Sequence, residues 1–138
     1  MKKVLFICMS NSRRSQMAEA IYKSLGGSAK SAGIDPAGGD YQIDPNVISA
    51  LKEMKIETKG LKTKQLTEEM LDEADKIITF RCADLVPKKY HAKIEDWDLG
   101  AKRQVGQKQA ERTLDEIRMY CDLIYQKVKR FKEQLEIS

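Results

Sequence analysis

The stretch that decides the fold is residues 3–25, which read KVLFICMSNSRRSQMAEAIYKSL. Lys3 to Cys8 is a short apolar run without alternation, which is typical of a strand covered on both faces in a parallel sheet. From Ser15 to Leu25 the apolar residues recur with a helical period, and Gly26-Gly27 ends the predicted helix. The residues in between predict a loop that joins a buried strand to a helix, and we call residues 8–15 the Cys8 loop.

The Cys8 loop carries the residues that indicate an anion-binding site with a reactive cysteine. In open parallel sheets, ligands bind beyond the carboxyl ends of the strands, where Cys8 lies. Backbone N–H groups of the loop and the helix N-terminus attract an anion there and favour the thiolate form of a cysteine. Arg14 adds a guanidinium fork that matches tetrahedral oxyanions such as phosphate or arsenate. We therefore expect Cys8 to be a nucleophile that acts on a bound oxyanion. The residues expected to bind that anion are Met9, Ser10, Asn11, Ser12, Arg13 and Arg14.

Two further residues of the loop support this interpretation. The Ser15 hydroxyl can donate a hydrogen bond to the Cys8 sulfur, both when it attacks and when it leaves. Asn11 suits a left-handed loop position and can brace the turn. The alternative is a buried strand-end cysteine followed by an ordinary helical arginine, a spacing that is common by chance. We favour the functional interpretation because the pair lies at a strand-to-helix junction and a serine follows it.

Strand and helix signals alternate along the rest of the chain. Further strands are predicted at residues 29–34, 76–80 and 93–97, and 35–41 is predicted to be a loop. Asp44-Pro45 and Thr67 are predicted helix starts. This alternation predicts an α/β fold, an open parallel sheet with helices on both faces, in a single domain spanning residues 1–138.

The last predicted element is a long amphipathic helix. Its apolar residues recur at spacings of four and three, which places them on one stripe. The stripe consists of Ala110, Leu114, Ile117, Cys121, Ile124, Val128, Phe131 and Leu135. Such a stripe also fits a coiled-coil seam, but packing against the sheet is the better interpretation in a chain of 138 residues.

Composition excludes several classes of protein. The formal net charge of +4 is spread along the chain among acidic residues, which indicates a solvated surface rather than a nucleic-acid partner. Apolar runs are too short to span a bilayer, and the run after Lys3 is too short for a signal peptide, so we expect no membrane partner and a cytoplasmic location. Cys8, Cys82 and Cys121 are widely spaced and odd in number, which argues against a disulfide scaffold and fits a reducing compartment. With one histidine and no CxxC pair, we expect no zinc or other metal site.

The sequence also carries a resemblance to a known family. Cys8-x5-Arg14-Ser15 after the first strand, followed by Gln16-Met17-Ala18-Glu19-Ala20, resembles the low-molecular-weight protein tyrosine phosphatase superfamily. Within it, the chain is most similar to the thioredoxin-coupled arsenate reductases. The segments shared with them are Ser31-Ala32-Gly33-Ile34, Asp44-Pro45, the Ile-Ile-Thr strand before a cysteine, and Glu95-Asp96-Trp97. The resemblance weakens after Leu99, and it implies a four-stranded parallel sheet in a three-layer αβα arrangement.

By this resemblance, Cys8 is the nucleophile and Arg14 the oxyanion clamp. Cys82 matches the cysteine that attacks the arsenylated nucleophile, releasing arsenite and leaving a disulfide. The resemblance implies no bound cofactor and an external, thioredoxin-like thiol that reduces this disulfide. A third cysteine usually follows shortly, but here the stretch reads Leu85-Val86-Pro87. We do not expect Cys121 to replace it, because a small cysteine on an apolar stripe is usually a packing residue.

Other positions also depart from the family pattern. The family's general acid is an aspartate before a proline, whereas this chain reads Asp96-Trp97-Asp98-Leu99 and has no Asp-Pro pair after the last strand. We take Asp98 or Asp96 as the substitute acid, with a solvated loop carboxylate as an equal alternative. Arg13 is an unusual extra positive charge near the pocket mouth. A potassium site of the family would match Asn11, Glu19 and Ser31, but its fourth ligand position falls near Lys64, which argues against a bound ion.

Three functions remain open at this point. The leading hypothesis is an arsenate reductase that uses Cys8, Cys82 and an external thiol. The second is a phosphatase that hydrolyses small phosphate esters or a phosphoprotein through a phosphocysteine, without Cys82. The third is an oxyanion- or phosphoprotein-binding module with little turnover, suggested by the missing Asp-Pro pair. Phosphotransferase-system B domains also have a cysteine at a strand end, but they lack the arginine found here at position 14.

Overall fold

The computed structural model of the chain describes residues 2–36, 42–100 and 112–137. Its centre is a parallel sheet of four strands in the order β2-β1-β3-β4. Strands β1 to β4 span Lys3–Cys8, Ser28–Gly33, Lys76–Thr79 and Ile94–Asp96. The predicted fold class and parallel sheet are confirmed, and each predicted strand overlaps an observed one.

Helices cover both faces of the sheet, as predicted. Helices α1 to α4 span Arg14–Ser24, Pro45–Glu53, Glu68–Glu73 and Leu114–Ile137. In β1, Val4 and Phe6 pack with α1, α2 and α4, whereas Leu5 and Ile7 pack with α3. Because β1 is buried on both faces, its apolar run shows no alternation.

Side-chain caps begin two of the helices where the sequence predicts them. The carboxylate of Asp44 accepts the Asn46 N–H at 2.9 Å, and Pro45 occupies the first helical position. The Thr67 hydroxyl oxygen accepts the Met70 N–H at 3.2 Å at the start of α3. These bonds satisfy backbone donors that have no partner within the helix.

The apolar stripe of α4 lies in the core. Its buried residues are Ile117, Cys121, Ile124, Val128, Phe131 and Leu135, which pack with α1 and α2 over the sheet. This confirms the prediction of packing against the sheet over the coiled-coil alternative. Leu114 is half-buried, and Ala110 lies outside the described residues.

The segment between β3 and β4 contains structure that the sequence analysis did not identify. Two short 3-10 helices, Ala83–Leu85 and Lys88–Lys93, connect these strands. Helices of this type are too short to leave a periodic apolar pattern, which is why the sequence gives little sign of them. Within the described ranges, no helix is both long and apolar enough to cross a membrane.

Candidate active site

Cys8 lies at the carboxyl end of β1, and α1 begins six residues later. Its sulfur lies 2.9 Å from Ser15 Oγ and accepts the Asn11 backbone N–H at 3.3 Å. The side chain is 2% exposed. The predicted contact between Ser15 and the Cys8 sulfur is therefore present. The Ser15 hydroxyl and the Asn11 N–H both lie beside the sulfur, where hydrogen-bond donors stabilise a negative charge.

Asn11 determines the direction of this hydrogen bonding. Its φ angle is +56°, the left-handed conformation that the sequence predicts. Its Nδ2 donates to Ser15 Oγ at 2.7 Å and to Ser31 Oγ at 3.0 Å, while its Oδ1 accepts the Lys64 backbone N–H at 2.8 Å. Because an amide nitrogen can only donate, Ser15 Oγ is the acceptor there, and its own hydrogen is left for the Cys8 sulfur.

The rest of the Cys8 loop is closely packed. The Ser10 and Ser12 hydroxyl oxygens are 2.8 Å apart and buried, and Met9 is half-buried. Gln16 donates through Nε2 to the Asn11 backbone oxygen at 2.9 Å and to the Lys62 backbone oxygen at 2.8 Å. The loop therefore holds its shape through contacts with distant segments.

Arg14 and Arg13 lie in different environments. Arg14 Nη1 donates to the Phe80 backbone oxygen at 3.3 Å, and its guanidinium carbon lies 6.0 Å from the centre of the Phe80 ring. These contacts hold it between the Cys8 loop and the end of β3. Arg13 forms an ion pair with Asp44 at 2.8 Å, with both side chains mostly buried. That pairing reduces the charge that Arg13 offers to an anion, so Arg14 is the stronger candidate for the oxyanion clamp.

Cys82 lies at the same edge of the sheet as Cys8. It follows β3, is fully buried, and its thiol donates to the Ile7 backbone oxygen at 3.5 Å. Burial raises the pKa of the Cys82 thiol to about 12, and the charge of Cys8 acts in the same direction, whereas Arg14 opposes it. Cys82 is therefore a protonated thiol at neutral pH, next to the residue that precedes Cys8.

The two candidate acids lie on and just beyond β4. The Asp96 carboxylate accepts a hydrogen bond from the Thr79 hydroxyl, and its charge contributes to the raised pKa of Cys82. The Asp98 side chain is exposed and lies 3.8 Å from Arg81. Among the described residues, the hydrogen bonds and ion pairs of these two carboxylates connect them to β3, to its following loop and to Gly100 rather than to the Cys8 loop. The structure thus brings Asp96 close to Cys82, and the role of either carboxylate stays a prediction.

Cys121 lies apart from the other two cysteines. Its thiol contacts the Met54 sulfur at 3.4 Å inside the cluster formed by α1, α2 and α4. Cys82 belongs to the cluster on the opposite face of the sheet. Burial raises the pKa of Cys121 to about 11. This environment agrees with the packing role that the sequence predicts.

The sequence analysis did not identify how Lys64, Gln16 and Thr79 take part in the site. Lys64 and Gln16 contact Asn11, and Thr79 holds Asp96. Gln16 is a polar residue in the first turn of α1 that the structure buries fully. The contact of Lys64 spans 53 positions and left no local pattern.

A parallel αβα sheet with an oxyanion loop of the form Cys-x5-Arg-Ser between β1 and α1 defines a class of cysteine-dependent phosphatases and their relatives. Residues 3–135 match the family "Low molecular weight phosphotyrosine protein phosphatase". The chain belongs to this family.

The similar proteins in this family include arsenate reductases. An arsenate reductase of Bacillus cereus is 38% identical over 81 residues, which cover 56% of this chain and 58% of that protein. One from Bacillus licheniformis is 33% identical over 141 residues, or 96% of both chains. The thioredoxin-dependent arsenate reductase of Corynebacterium glutamicum superposes with a TM-score of 0.80 at 26% identity, covering 99% of this chain and 63% of that one. A low molecular weight protein tyrosine phosphatase from T. tengcongensis gives 0.76 at 26% identity, with 97% and 99% covered.

Proposed function

We propose that this protein is an arsenate reductase in which Cys8 attacks arsenate and Cys82 resolves the adduct. The observation that carries the proposal is the position of Cys82. Its thiol donates to the carbonyl of Ile7, the residue before Cys8, so both thiols lie at one edge of the sheet. The similarity to arsenate reductases over 96% of the chain supports the same conclusion.

The proposed reaction has two chemical steps. The Cys8 thiolate attacks the arsenic atom of arsenate held by the loop amides and Arg14, and one oxygen leaves as water after protonation. Cys82 then attacks the Cys8 sulfur, forming a disulfide, and the electron pair of the sulfur–arsenic bond stays on arsenic as arsenite is released. The two thiols thereby supply the two electrons of the reduction.

The state of Cys82 sets the order of these steps. With a pKa raised to about 12 by burial, its thiol cannot attack until a base takes its proton. The Cys8 charge also raises the pKa of Cys82, so ionisation of Cys82 is disfavoured in the free enzyme. We propose that oxygens of the arsenate group on Cys8 accept this proton, so that Cys82 becomes reactive after the adduct forms.

An external dithiol would regenerate the enzyme. The segment after Cys82 has no third cysteine to carry the disulfide outward, and Leu85 is 43% exposed beside it. We propose that a thioredoxin-like reductant reaches the Cys8–Cys82 disulfide directly through this exposed segment. A reducing compartment such as the cytoplasm would supply that reductant, and Cys8, Cys82 and Cys121 are all free thiols in the structure.

A peptide map under non-reducing conditions tests the proposal. Fully reduced protein is incubated without oxygen, with and without arsenate, and its disulfides are assigned by mass spectrometry. We expect a Cys8–Cys82 disulfide that depends on arsenate. Cys121→Ser should still form it, whereas Cys82→Ser should not. If Cys8 and Cys82 both stay reduced with arsenate, the reductase proposal is wrong.

A phosphatase is the second candidate. The raised pKa of Cys82 favours it, because a protonated buried thiol is a poor resolving nucleophile. In this function a phosphocysteine on Cys8 is hydrolysed by water, and Cys82→Ser retains turnover of aryl phosphates. If Cys8→Ser and wild-type protein both bind phosphate but neither turns over arsenate or phosphate esters, the protein is a binding module.

A further inference from the structure

A buried carboxylate lies behind the Cys8 loop. Glu19 of α1 has a side chain that is 4% exposed, and two lysines contact it. Lys23 Nζ lies 2.8 Å from Oε2, and Lys64 Nζ lies 3.6 Å from Oε1. Burying a carboxylate costs free energy unless the group is paired and hydrogen-bonded. A functional role would explain why Glu19 and its lysine contacts lie next to the site.

Glu19 is connected to the Cys8 sulfur by a continuous chain of hydrogen bonds. Ser31 Oγ donates to Glu19 Oε1 at 2.7 Å and accepts from Asn11 Nδ2 at 3.0 Å. Asn11 Nδ2 also donates to Ser15 Oγ, which lies 2.9 Å from the sulfur. The carboxylate receives the Ser31 hydrogen, which leaves Ser31 Oγ as the acceptor for Asn11. Asn11 is therefore oriented by two acceptors, Ser31 Oγ on the Glu19 side and Ser15 Oγ on the Cys8 side.

Lys64 holds this chain at two points. Its backbone N–H donates to Asn11 Oδ1 at 2.8 Å, which fixes the orientation of the amide. Its ammonium contacts Oε1 of Glu19, the same oxygen that receives the Ser31 hydroxyl. The Lys64 backbone is itself fixed, because its carbonyl accepts the Gly33 N–H at 2.9 Å at the end of β2. Lys23, in contrast, contacts the other oxygen, and its side chain is 53% exposed.

The potassium ion that the family resemblance implies does not fit these residues. Such an ion is held by oxygen atoms. Here Asn11 Oδ1 already accepts from the Lys64 and Gln16 nitrogens, and Glu19 Oε1 faces the Lys64 ammonium. The ammonium also donates to the Lys62 backbone oxygen at 2.8 Å, so this side of the cluster already holds a positive charge.

We propose that Lys64 is a built-in cation and a positioning residue for Cys8. Its ammonium pairs with Glu19 and holds the carboxylate in place, and through Ser31, Asn11 and Ser15 it directs a hydroxyl hydrogen at the sulfur. The site therefore works without an added alkali cation. This inference rests on Cys8 being the nucleophile, and it holds for an arsenate reductase and for a phosphatase alike.

The experiment measures the ionisation of Cys8 rather than turnover, so its failure is distinguishable from failure of the proposed reaction. Burial raises the pKa values of Cys82 and Cys121 to about 12 and about 11, so thiolate absorbance that appears below about pH 9 comes from Cys8. Cys8→Ser provides the reference. Each variant is titrated in potassium chloride and in tetramethylammonium chloride at equal ionic strength.

Lys64→Met removes the ammonium but keeps the backbone N–H to Asn11. We expect its Cys8 midpoint in tetramethylammonium to rise by about one pH unit, and potassium to restore part of that shift. Wild-type protein should show the same midpoint in both salts. Lys23→Met, the matched control, and Lys64→Arg should both keep the wild-type midpoint. The proposal is wrong if Lys64→Met titrates like wild type, if Lys23→Met shifts equally, or if wild type itself responds to potassium.

A double variant guards against a folding failure of Lys64→Met. Glu19→Gln/Lys64→Met leaves no buried charge unpaired by the loss of Lys64. We expect it to fold and to show a raised Cys8 midpoint, because Ser31 no longer faces a carboxylate. This midpoint should be the same in potassium and in tetramethylammonium. A wild-type midpoint in this double variant would show that the pair does not act on Cys8 and would overturn the proposal.

Discussion

At the scale of single residues, the direction of the hydrogen bond between Ser15 and Cys8 is set by Asn11. Because Asn11 Nδ2 donates to Ser15 Oγ at 2.7 Å, the serine hydrogen is left for the sulfur, 2.9 Å away. A neutral hydroxyl aimed at an anionic sulfur stabilises the thiolate both before attack and when it leaves. We therefore propose that Ser15 contributes to each chemical step without taking part in a bond that breaks.

Replacing Ser15 should lower turnover much more than binding. We expect Ser15→Ala to reduce kcat for aryl phosphate hydrolysis or arsenate reduction by about 10- to 100-fold. This is the loss of rate expected when one hydrogen bond to a charged group is removed. Affinity for inorganic phosphate should change little, because the loop amides and Arg14 remain. Ser24→Ala, near the other end of α1, should match wild type in both measurements. An equal loss of kcat in both variants would contradict this role.

The choice between the two candidate acids also rests on single residues. Asp96 is held in β4 by Thr79, whereas Asp98 lies beyond the strand and is paired with Arg81. Protonation of a leaving oxygen at the pocket mouth requires a carboxyl that can reach outward, and Asp98 meets that requirement better.

We expect Asp98→Asn to lower turnover of an alkyl phosphate by about 10²-fold or more, because a general acid contributes that much when the leaving group is poor. For a nitrophenyl ester, whose leaving group needs little protonation, the loss should be small. Asp96→Asn, which keeps an oxygen for Thr79, should change this ratio little. If the ratio is the same in wild type and both variants, the proton comes from water.

At the scale of secondary-structure elements, the end of β2 forms one wall of the Cys8 loop. Gly33 pairs with Cys8 across the sheet, and the segment around Lys64 pairs with Gly33 on its other side. A Cβ atom at position 33 would lie 3.0 Å from Asn11 Cβ and 3.0 Å from the Met9 backbone oxygen. Backbone and a Cβ atom cannot move aside as a flexible side chain can, so the loop itself would shift.

Gly33→Ala adds only one methyl group, but it should therefore lower both the stability of the fold and the affinity of the site for anions. We expect a loss of about 1–3 kcal/mol in the free energy of unfolding, the usual cost of overpacking. Affinity for phosphate or arsenate should fall as well, because the loop amides lose their alignment. Urea unfolding and calorimetric titration measure the two effects. Ser28→Ala, at the start of the same strand, should keep wild-type affinity, and unchanged anion affinity in Gly33→Ala would show that the loop tolerates the shift.

Local elements of this fold could be predicted from the sequence, and contacts between distant segments could not. The strand Lys3–Cys8, the Asp44 cap and the stripe of α4 depend on neighbouring residues and helical spacing, so their patterns are visible in the sequence. The left-handed Asn11 was predictable for the same reason. The ion pair of Glu19 with Lys64 joins segments that the sheet brings together, and no local pattern marks it.

At the scale of the whole molecule, the sheet separates two buried thiols. Cys82 lies in the cluster beside α3, and Cys121 in the cluster beside α4. Burial raises the pKa values of these thiols to about 12 and about 11, because each charged form would lose its solvation. The core on each face of the sheet therefore stays stable in alkali only while its buried thiol remains protonated.

This arrangement predicts how stability depends on pH. In the unfolded chain both thiols lose their protons near about pH 8.5, while the folded protein keeps them, so the unfolded state binds fewer protons and stability falls as pH rises. Between about pH 9 and 11, each thiol should lower the free energy of unfolding by about 1.4 kcal/mol per pH unit. Urea unfolding under reducing conditions measures this slope. Cys121→Ala should make the fall in the free energy of unfolding shallower by about 1.4 kcal/mol per pH unit. Cys82→Ala should have a similar effect, and its effect should extend closer to pH 12. Because other groups titrate equally in all three proteins, the differences isolate the thiols, and equal slopes would mean that these cysteines ionise in the folded core.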